Sequence, residues 1–385
     1  MGFAYNNRTE ESWSEGGGYY GCTPLPLMEN NTVVEQPVNL ATVNARYTAS
    51  ATNFIATASA SKTKTPWFMY MAFGHVHTPQ YAGAAQAGKS KRGIFGDSVA
   101  EVDTSIGHVM AALTAAGVER NTLVLFSSDN GAPDAHQHNQ PGQQLEAYTG
   151  SNHMFTGSKT QTWEGGIREP GLAWWPGVIA PQVRHELVST LDVFATVAHA
   201  AGAVLPADRI YDSFSMLPLL TVADDDASTA VTQRNASFFY AGATLNAVRV
   251  GPYKAHLVTV MPNEGHAGPE RGFLPQSGND HSPYGKQAEW LLFNVEFDPS
   301  EMFEITDRQG AKAILAEMKP YVDAHLAALG TPPTGILDHL CPKMAGSPYG
   351  ACELCCDEAK KCVCSPPPKV LTLVGACHGG VCGEL

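Results

Sequence analysis

Two uninterrupted apolar runs, Trp67-Phe68-Met69-Tyr70-Met71-Ala72-Phe73 and the stretch 121–126 that ends Leu123-Val124-Leu125-Phe126, flank a segment of helical periodicity, and this order constrains the fold more than any other feature. A run without polar alternation fits a strand covered on both faces. Between the runs, Ser98 and Glu101 have the spacing of a capping box. Behind them Val99, Val102, Ile106, Val109, Met110 and Leu113 recur at helical spacing, which predicts a helix with one face on a core. Strand, helix, strand at this spacing reads as a βαβ unit with parallel strands in one sheet, so the expected class is α/β. A preceding helix is predicted over 43–60, a third strand over 171–175, and a further helix over 187–201 with Leu191, Phe194, Val197 and Ala198 facing inward.

Past residue 236 the grammar changes. Short strands at 237–240, 247–250, 253–256 and 291–293 are followed by one helix over 311–329, the pattern of a small α+β unit. Three parts are therefore expected: an α/β domain over 1–235, an α+β subdomain over 236–340 and a tail over 341–385. Eight of the nine cysteines (Cys341, Cys352, Cys355, Cys356, Cys362, Cys364, Cys377 and Cys382) fall in that tail, and only Cys22 lies elsewhere. Such density reads as a disulfide-stapled segment made in an oxidising compartment. The alternative, zinc at Cys352, Cys355, Cys362 and Cys364, lacks the paired spacing of a knuckle. Sequons at Asn7, Asn30 and Asn235 agree with secretion and glycosylation, yet the first residues have neither the basic nor the apolar region of a signal peptide, so a lost N-terminus is expected.

Charge excludes one class of partner. With 24 Lys+Arg against 37 Asp+Glu the net charge is −13, and no basic run is present to hold a polyanion, so nucleic acid is not expected. No apolar stretch of ~18 residues is available for a transmembrane segment.

Ligands in an open α/β sheet gather at the carboxyl ends of its strands. The first run ends at Gly74-His75-Val76-His77 and the second at Ser127-Ser128-Asp129-Asn130-Gly131. Asp129 and Asn130 offer a carboxylate and an amide oxygen, hard ligands for Ca²⁺ or Mg²⁺; the same Asp-Asn-Gly also makes a good turn. A third cluster, Lys159 followed by Glu164-Gly165-Gly166-Ile167-Arg168-Glu169-Pro170, sets a cation, paired glycines and an arginine at a strand entrance. It suits an anion, or forms a structural loop in which Arg168 pairs with Glu164 or Glu169.

These clusters, in this order, resemble the sulfatases of the alkaline-phosphatase-like superfamily, and the arylsulfatase A type in particular. The likeness rests on His77-Thr78-Pro79-Gln80-Tyr81, Gly93 to Asp103, Asp129-Asn130-Gly131, Lys159, Glu164 to Pro170, Trp175-Pro176-Gly177, His185 to Asp192 and Tyr253-Lys254-Ala255-His256. It implies a central mixed, mostly parallel sheet flanked by helices, with a smaller C-terminal domain and a Cys-rich end. It further implies that Asp129 and Asn130 bind a divalent cation, usually calcium, that His77 and Lys159 hold the substrate sulfate, and that His266 is a further active-site histidine. The partners implied are sulfated small molecules, glycans or lipids, with a homo-oligomer possible, in a lysosomal or extracellular location.

One departure shapes the expectation of activity. Family members use a formylglycine made from the cysteine of a Cys-x-Pro-Ser-Arg motif, and these 385 residues contain none. Cys22-Thr23-Pro24-Leu25-Pro26 lacks the Ser-Arg pair. The family's early Asp pair and its Lys-x-His contacts are also absent, so the chain is expected to be the latter part of a sulfatase, inactive by itself. The alternatives are a catalytically dead binding protein or another hydrolase of the superfamily, a phosphodiesterase or phosphatase.

Overall fold

The computed structural model describes residues 27–36, 38–63, 65–77, 80–133, 150–222, 234–241, 244–260 and 284–329. His266, all nine cysteines, Asn7 and the stretch 134–149 lie outside them. So the expectations for the disulfide tail and for the further histidine fall outside the described residues.

The chain opens with a small hairpin, β1 (Leu27–Glu29) against β2 (Thr32–Glu35), whose turn residue Asn30 takes a left-handed φ of 53°. Helix α1 (Leu40–Ser59) starts where Asn39 accepts the Ala41 N–H at 3.0 Å, the interaction that makes asparagine a good N-cap. Its buried positions Val43, Asn44, Thr48, Ala51 and Ile55 form one stripe, and that stripe lies on α2 (Gly93–Ala115). Gly117, at φ 67°, ends α2. Its N–H reaches the Thr114 carbonyl at 2.9 Å and the Val118 N–H the Leu113 carbonyl at 3.1 Å, which satisfies the last carbonyls of the helix.

Helix α2 departs from its sequence reading in two ways. It begins five residues before the expected capping box, so Ser98 and Glu101 stand inside it and not at its start. Its buried side chains are Asp97, Ser98, Glu101, Ser105 and Leu113, while Val99 is exposed. The reason is hydrogen bonding. Asn44 Nδ2 donates to Ser105 Oγ at 2.8 Å across the helix pair, and Ser105 Oγ donates to the Glu101 carbonyl at 2.8 Å. Asp97 accepts the N–H groups of Gly88, Lys89 and Ser90 at 2.7, 3.1 and 2.7 Å. Those bonds, Ser90's foremost, hold its carboxyl below the usual range.

Strand β3 (Val124–Ser127) pairs antiparallel with β4 (Gly171–Trp174), in register from Val124 with Trp174 to Ser127 with Gly171. The expected first strand, 67–73, forms neither strand nor helix and has no ladder partner among the described residues, so the parallel pairing expected from strand, helix, strand does not form there. Phe68 and Tyr70 are 63% and 82% exposed, whereas Trp67, Met69, Met71 and Phe73 are half-buried. An apolar run specifies that both faces want cover; only neighbours can supply it.

The helix expected over 187–201 starts five residues later than its reading, at Asp192. Single-turn α3 (Glu164–Ile167) precedes β4, and α4 (Asp192–Ala200) follows. In α4 the inward residues are Asp192, Ala195 and Thr196, not Leu191 and Phe194, which are 56% and 52% exposed. A buried ion pair sets this rotation: Arg234 Nε and an Nη donate to the two Asp192 oxygens at 2.8 and 2.6 Å. Short α5 (Leu217–Thr221) follows.

The C-terminal elements follow the expected order, with β6, β7 and β8 longer than their reading. Strands β5 (Ala236–Ala241), β6 (Thr244–Val250), β7 (Tyr253–Val260) and β8 (Tyr284–Asn294) form an antiparallel meander in that order. Helix α6 (Ala311–Ala328) covers one face through Met318 and Val322, which pack with Leu245, Val248, Ala255 and Leu292. The other face of the sheet carries Leu291 and Phe293, and Trp163 from the loop before α3 closes over them. The meander is thus the support on which the chain around residue 160 rests.

Candidate active site

Asp129 and Asn130 follow the end of β3 by two and three residues, at the carboxyl end of the strand as the sequence implied. Asp129 Oδ1 accepts both the backbone N–H and the side-chain Nδ2 of Asn130, at 2.9 and 2.8 Å, so the two oxygen-bearing groups are locked side by side. Glu169 lies close behind. Burial foremost, and then the charge of Asp129, push its carboxyl up, against the hydrogen bond from Ser128. Its Oε1 is buried without a hydrogen-bond partner. Oxygen donors and crowded carboxylates suit a hard divalent cation in kind, but Ca²⁺ takes 6–8 oxygens, and among the described residues no cluster of three or more acidic, His or Cys side chains supplies them. The fit is therefore partial.

Lys159 meets this turn through backbone contacts. Its N–H donates to the Ala132 carbonyl at 3.0 Å, and the Gly131 N–H donates to the Gly166 carbonyl at 3.1 Å. Asn152 ties the junction, donating to the carbonyls of Ala132 and Gly157 at 3.0 and 3.1 Å and accepting the Ala132 N–H at 2.8 Å. Here glycine is required by proximity. A Cβ on Gly131 would overlap the Gly165 carbonyl, and one on Gly165 or Gly166 would overlap the carbonyls of 156–158 and 161. Two of the three sequence clusters are thus joined backbone to backbone.

His77 is placed by different contacts. Its N–H donates to the Gly74 carbonyl at 3.2 Å, and its neighbour His75 anchors the turn to α2, with Nε2 2.7 Å from Glu101 Oε2. Glu101 also accepts the Gly83 N–H at 2.9 Å. Burial foremost pushes the His75 imidazole down, against the pull of Glu101, so neutral His75 donates from Nε2. Arg168 lies 3.4 Å from Glu164, an ion pair within the loop, and over the Phe155 ring at 5.1 Å.

Sequence reasoning missed a buried network behind Lys159. Lys254 and His256, alternating on β7, meet Glu164 and Glu301: Lys254 Nζ is 2.9 Å from Glu164 and 3.0 Å from Glu301, and His256 Nε2 is 2.7 Å from Glu301. The Trp163 ring lies on His256, with centroids 4.1 Å apart. The period-two placing of a Lys and a His within a strand was a visible signal; nothing local marked Glu301.

A family model described as Sulfatase matches residues 5–203, and one described as the C-terminal region of aryl-sulfatase matches 232–364. Arylsulfatase A of Homo sapiens is 36% identical over 296 residues, covering 76% of this chain and 54% of that protein. The chain belongs to the sulfatase family. Steryl-sulfatase of Rattus norvegicus is 35% identical over 315 residues, covering 80% of the chain and 52% of that protein. N-acetylgalactosamine-6-sulfatase of Canis lupus familiaris is 34% identical over 376 residues, covering 94% and 66%. The chain spans about half the length of the first two of these relatives. Among solved structures, the PsFucS1 sulfatase from Pseudoalteromonas sp. aligns with a TM-score of 0.62 at 24% identity over 76% of this chain and 55% of that one. The fold is accordingly the α/β, alkaline-phosphatase-like fold of sulfatases. The family in general uses a divalent metal and a formylglycine.

Proposed function

We propose that this chain carries one wall of the active site of a sulfuric ester hydrolase of the arylsulfatase kind. Asp129 and Asn130 are the metal-binding residues of that wall, His77 and Lys159 its sulfate contacts, and His266 a further active-site histidine. The observation that carries the reading is the junction of Asp129-Asn130-Gly131 with Gly165, Gly166 and the Lys159 backbone, in a chain of the sulfatase family. Calcium is the cation proposed, since both donors are hard oxygens.

When bound, the cation would neutralise sulfate oxygens as negative charge builds on the leaving oxygen. Lys159 adds a point positive charge to the same anion, and His77 a hydrogen bond. These residues bind and orient; none of them is an activated nucleophile. The formylglycine motif does not occur in the 385 residues, so by itself this chain is expected to bind sulfate esters without turning them over. The larger α/β domain over 1–235, the smaller one over 236–340 and the Cys-rich 341–385 are proposed as its parts. The compartment proposed is secretory, lysosomal or extracellular, and the substrates proposed are sulfated small molecules, glycans or lipids.

The test is to express the 385-residue chain, and the same chain joined to an upstream segment bearing Cys-x-Pro-Ser-Arg, in a secretory host that makes formylglycine. A chromogenic aryl sulfate is the substrate. Turnover by the longer protein, lost on Asp129→Ala and absent from the shorter chain, is the expected result. Turnover by the shorter chain above that of its Lys159→Ala variant overturns the proposal on activity, and turnover by neither favours a binding protein.

A further inference from the structure

Two consecutive residues hold both ends of the loop that carries Lys159. At one end Thr156 Oγ1 donates to the Ser300 carbonyl at 2.6 Å; at the other the Glu164 backbone N–H donates to Glu301 Oε2 at 2.6 Å. Glu301 is fully buried and takes a left-handed φ of 53°, a conformation that costs a non-glycine residue energy and persists only where its surroundings enforce it. Its other oxygen, Oε1, is held by Lys254 Nζ at 3.0 Å and His256 Nε2 at 2.7 Å. Lys254 returns to the loop at Glu164 Oε1, 2.9 Å away. Each of these four side chains is at most 2% exposed.

A buried carboxylate must be matched by donors, and here the donors come from two sources: side chains of β7 and a main-chain N–H of the loop. That N–H opens α3, whose Gly165 and Gly166 receive Gly131. Glu301 therefore bonds both to the C-terminal sheet and to the loop whose glycines meet the Asp129 turn.

We propose that Glu301 is a positioning residue that, with Ser300, closes the loop 156–164 and so fixes Lys159 beside Asp129 and Asn130. What Lys159 does there rests on the function proposed above; how it is held does not. A general packing residue would loosen the whole sheet when changed, whereas a positioning residue changes Lys159 selectively.

The experiment uses the 385-residue chain and reads the acylation rate of individual lysines by peptide mass spectrometry, with and without inorganic sulfate. In Glu301→Ala, Lys159 should react about five-fold faster or more, relative to the exposed Lys62 and Lys91 in the same sample. Glu301→Gln, which keeps an acceptor for the Glu164 N–H, should restore part of the protection. Equal acceleration of all three lysines, or none at Lys159, overturns the proposal. Should the variants not fold, hydrogen exchange of the unaltered chain decides. The Glu164 amide should exchange slowly, with the amides of Gly165 and Gly166, and exchange as fast as an unprotected loop overturns the proposal. Slowing of Lys159 acylation by sulfate in the unaltered chain reports separately on the function: its absence counts against Lys159 as a sulfate contact and leaves the Glu301 result to stand or fall by itself.

Discussion

At the scale of single residues, the imidazole of His75 shows how burial turns a common side chain into a pH-sensitive strut. Its ring is fully buried, 2.7 Å from Glu101 and stacked near Tyr81 with centroids 4.1 Å apart. Burial lowers its proton affinity below that of an unfolded histidine, and burial foremost does the same at His256. The folded state thus binds fewer protons than the unfolded one. The stability these histidines give is present above the unfolded value near 6.5 and is lost as pH falls below it. Chemical denaturation should show a lower midpoint at pH 5.5 than at pH 7.5. His75→Asn should be less stable than the unaltered chain at pH 7.5 and lose less on acidification; an unchanged loss would show that His75 does not carry the effect. Glu301 acts lower in the scale. Burial opposes its ionisation, but Lys254 and His256 hold it down to about 2, so its contribution is present above the ordinary carboxylate range and fades as pH falls toward that value.

Among elements, α4 is the case in which one polar contact overrides an apolar pattern. Leu191 and Phe194 have the spacing of an inward face, yet the helix turns Asp192 to the interior because Arg234 is there. Asp192 also accepts the N–H groups of Ser189 and Phe214, at 2.9 and 2.8 Å, and the Asp192 carbonyl accepts Thr196 Oγ1 at 2.7 Å. Removing one partner of a buried pair leaves the other charge unmatched, at a cost of about 3–5 kcal/mol. Arg234→Met should therefore lower the unfolding free energy from chemical denaturation by about 3–5 kcal/mol. A double variant, Asp192→Asn with Arg234→Met, should recover part of the loss, and a double variant no better than the single would show that the pair is not the source.

For the whole molecule, the two halves of the chain are supported differently. The C-terminal meander is covered on both faces, by α6 on one and by Trp163 and its loop on the other. The 67–73 run and the β3–β4 pair are not so covered: Phe68, Tyr70 and Leu172 are 63%, 82% and 67% exposed. Exposed apolar strands with unpaired edges attract other chains or each other. The isolated chain should bind an apolar dye and self-associate as its concentration rises, as followed by light scattering. Tyr70→Lys with Leu172→Lys should reduce both. A chain that stays monodisperse and dye-free would mean that this face is closed in solution.

The sequence by itself determined what depends on near neighbours. Helix α1, the order of strands and helix in the C-terminal unit, and the place of Asp129 and Asn130 past β3 could be read from periodicity and local pattern, and the resemblance to sulfatases from the motifs quoted for it. It misread 67–73, which has no ladder partner among the described residues, and the inward faces of α2 and α4, which turn on partners distant in the chain, Asn44 and Arg234. The network around Glu301 was out of reach for the same reason. Lys254 is 90 residues from Glu164, and Glu301 is 137 from the N–H that it caps. A carboxylate in a loop has no local pattern that distinguishes a solvated side chain from a buried clamp. Only the folding of β7 against the loop before α3 removes the water and makes that carboxylate the group that holds Lys159 in place.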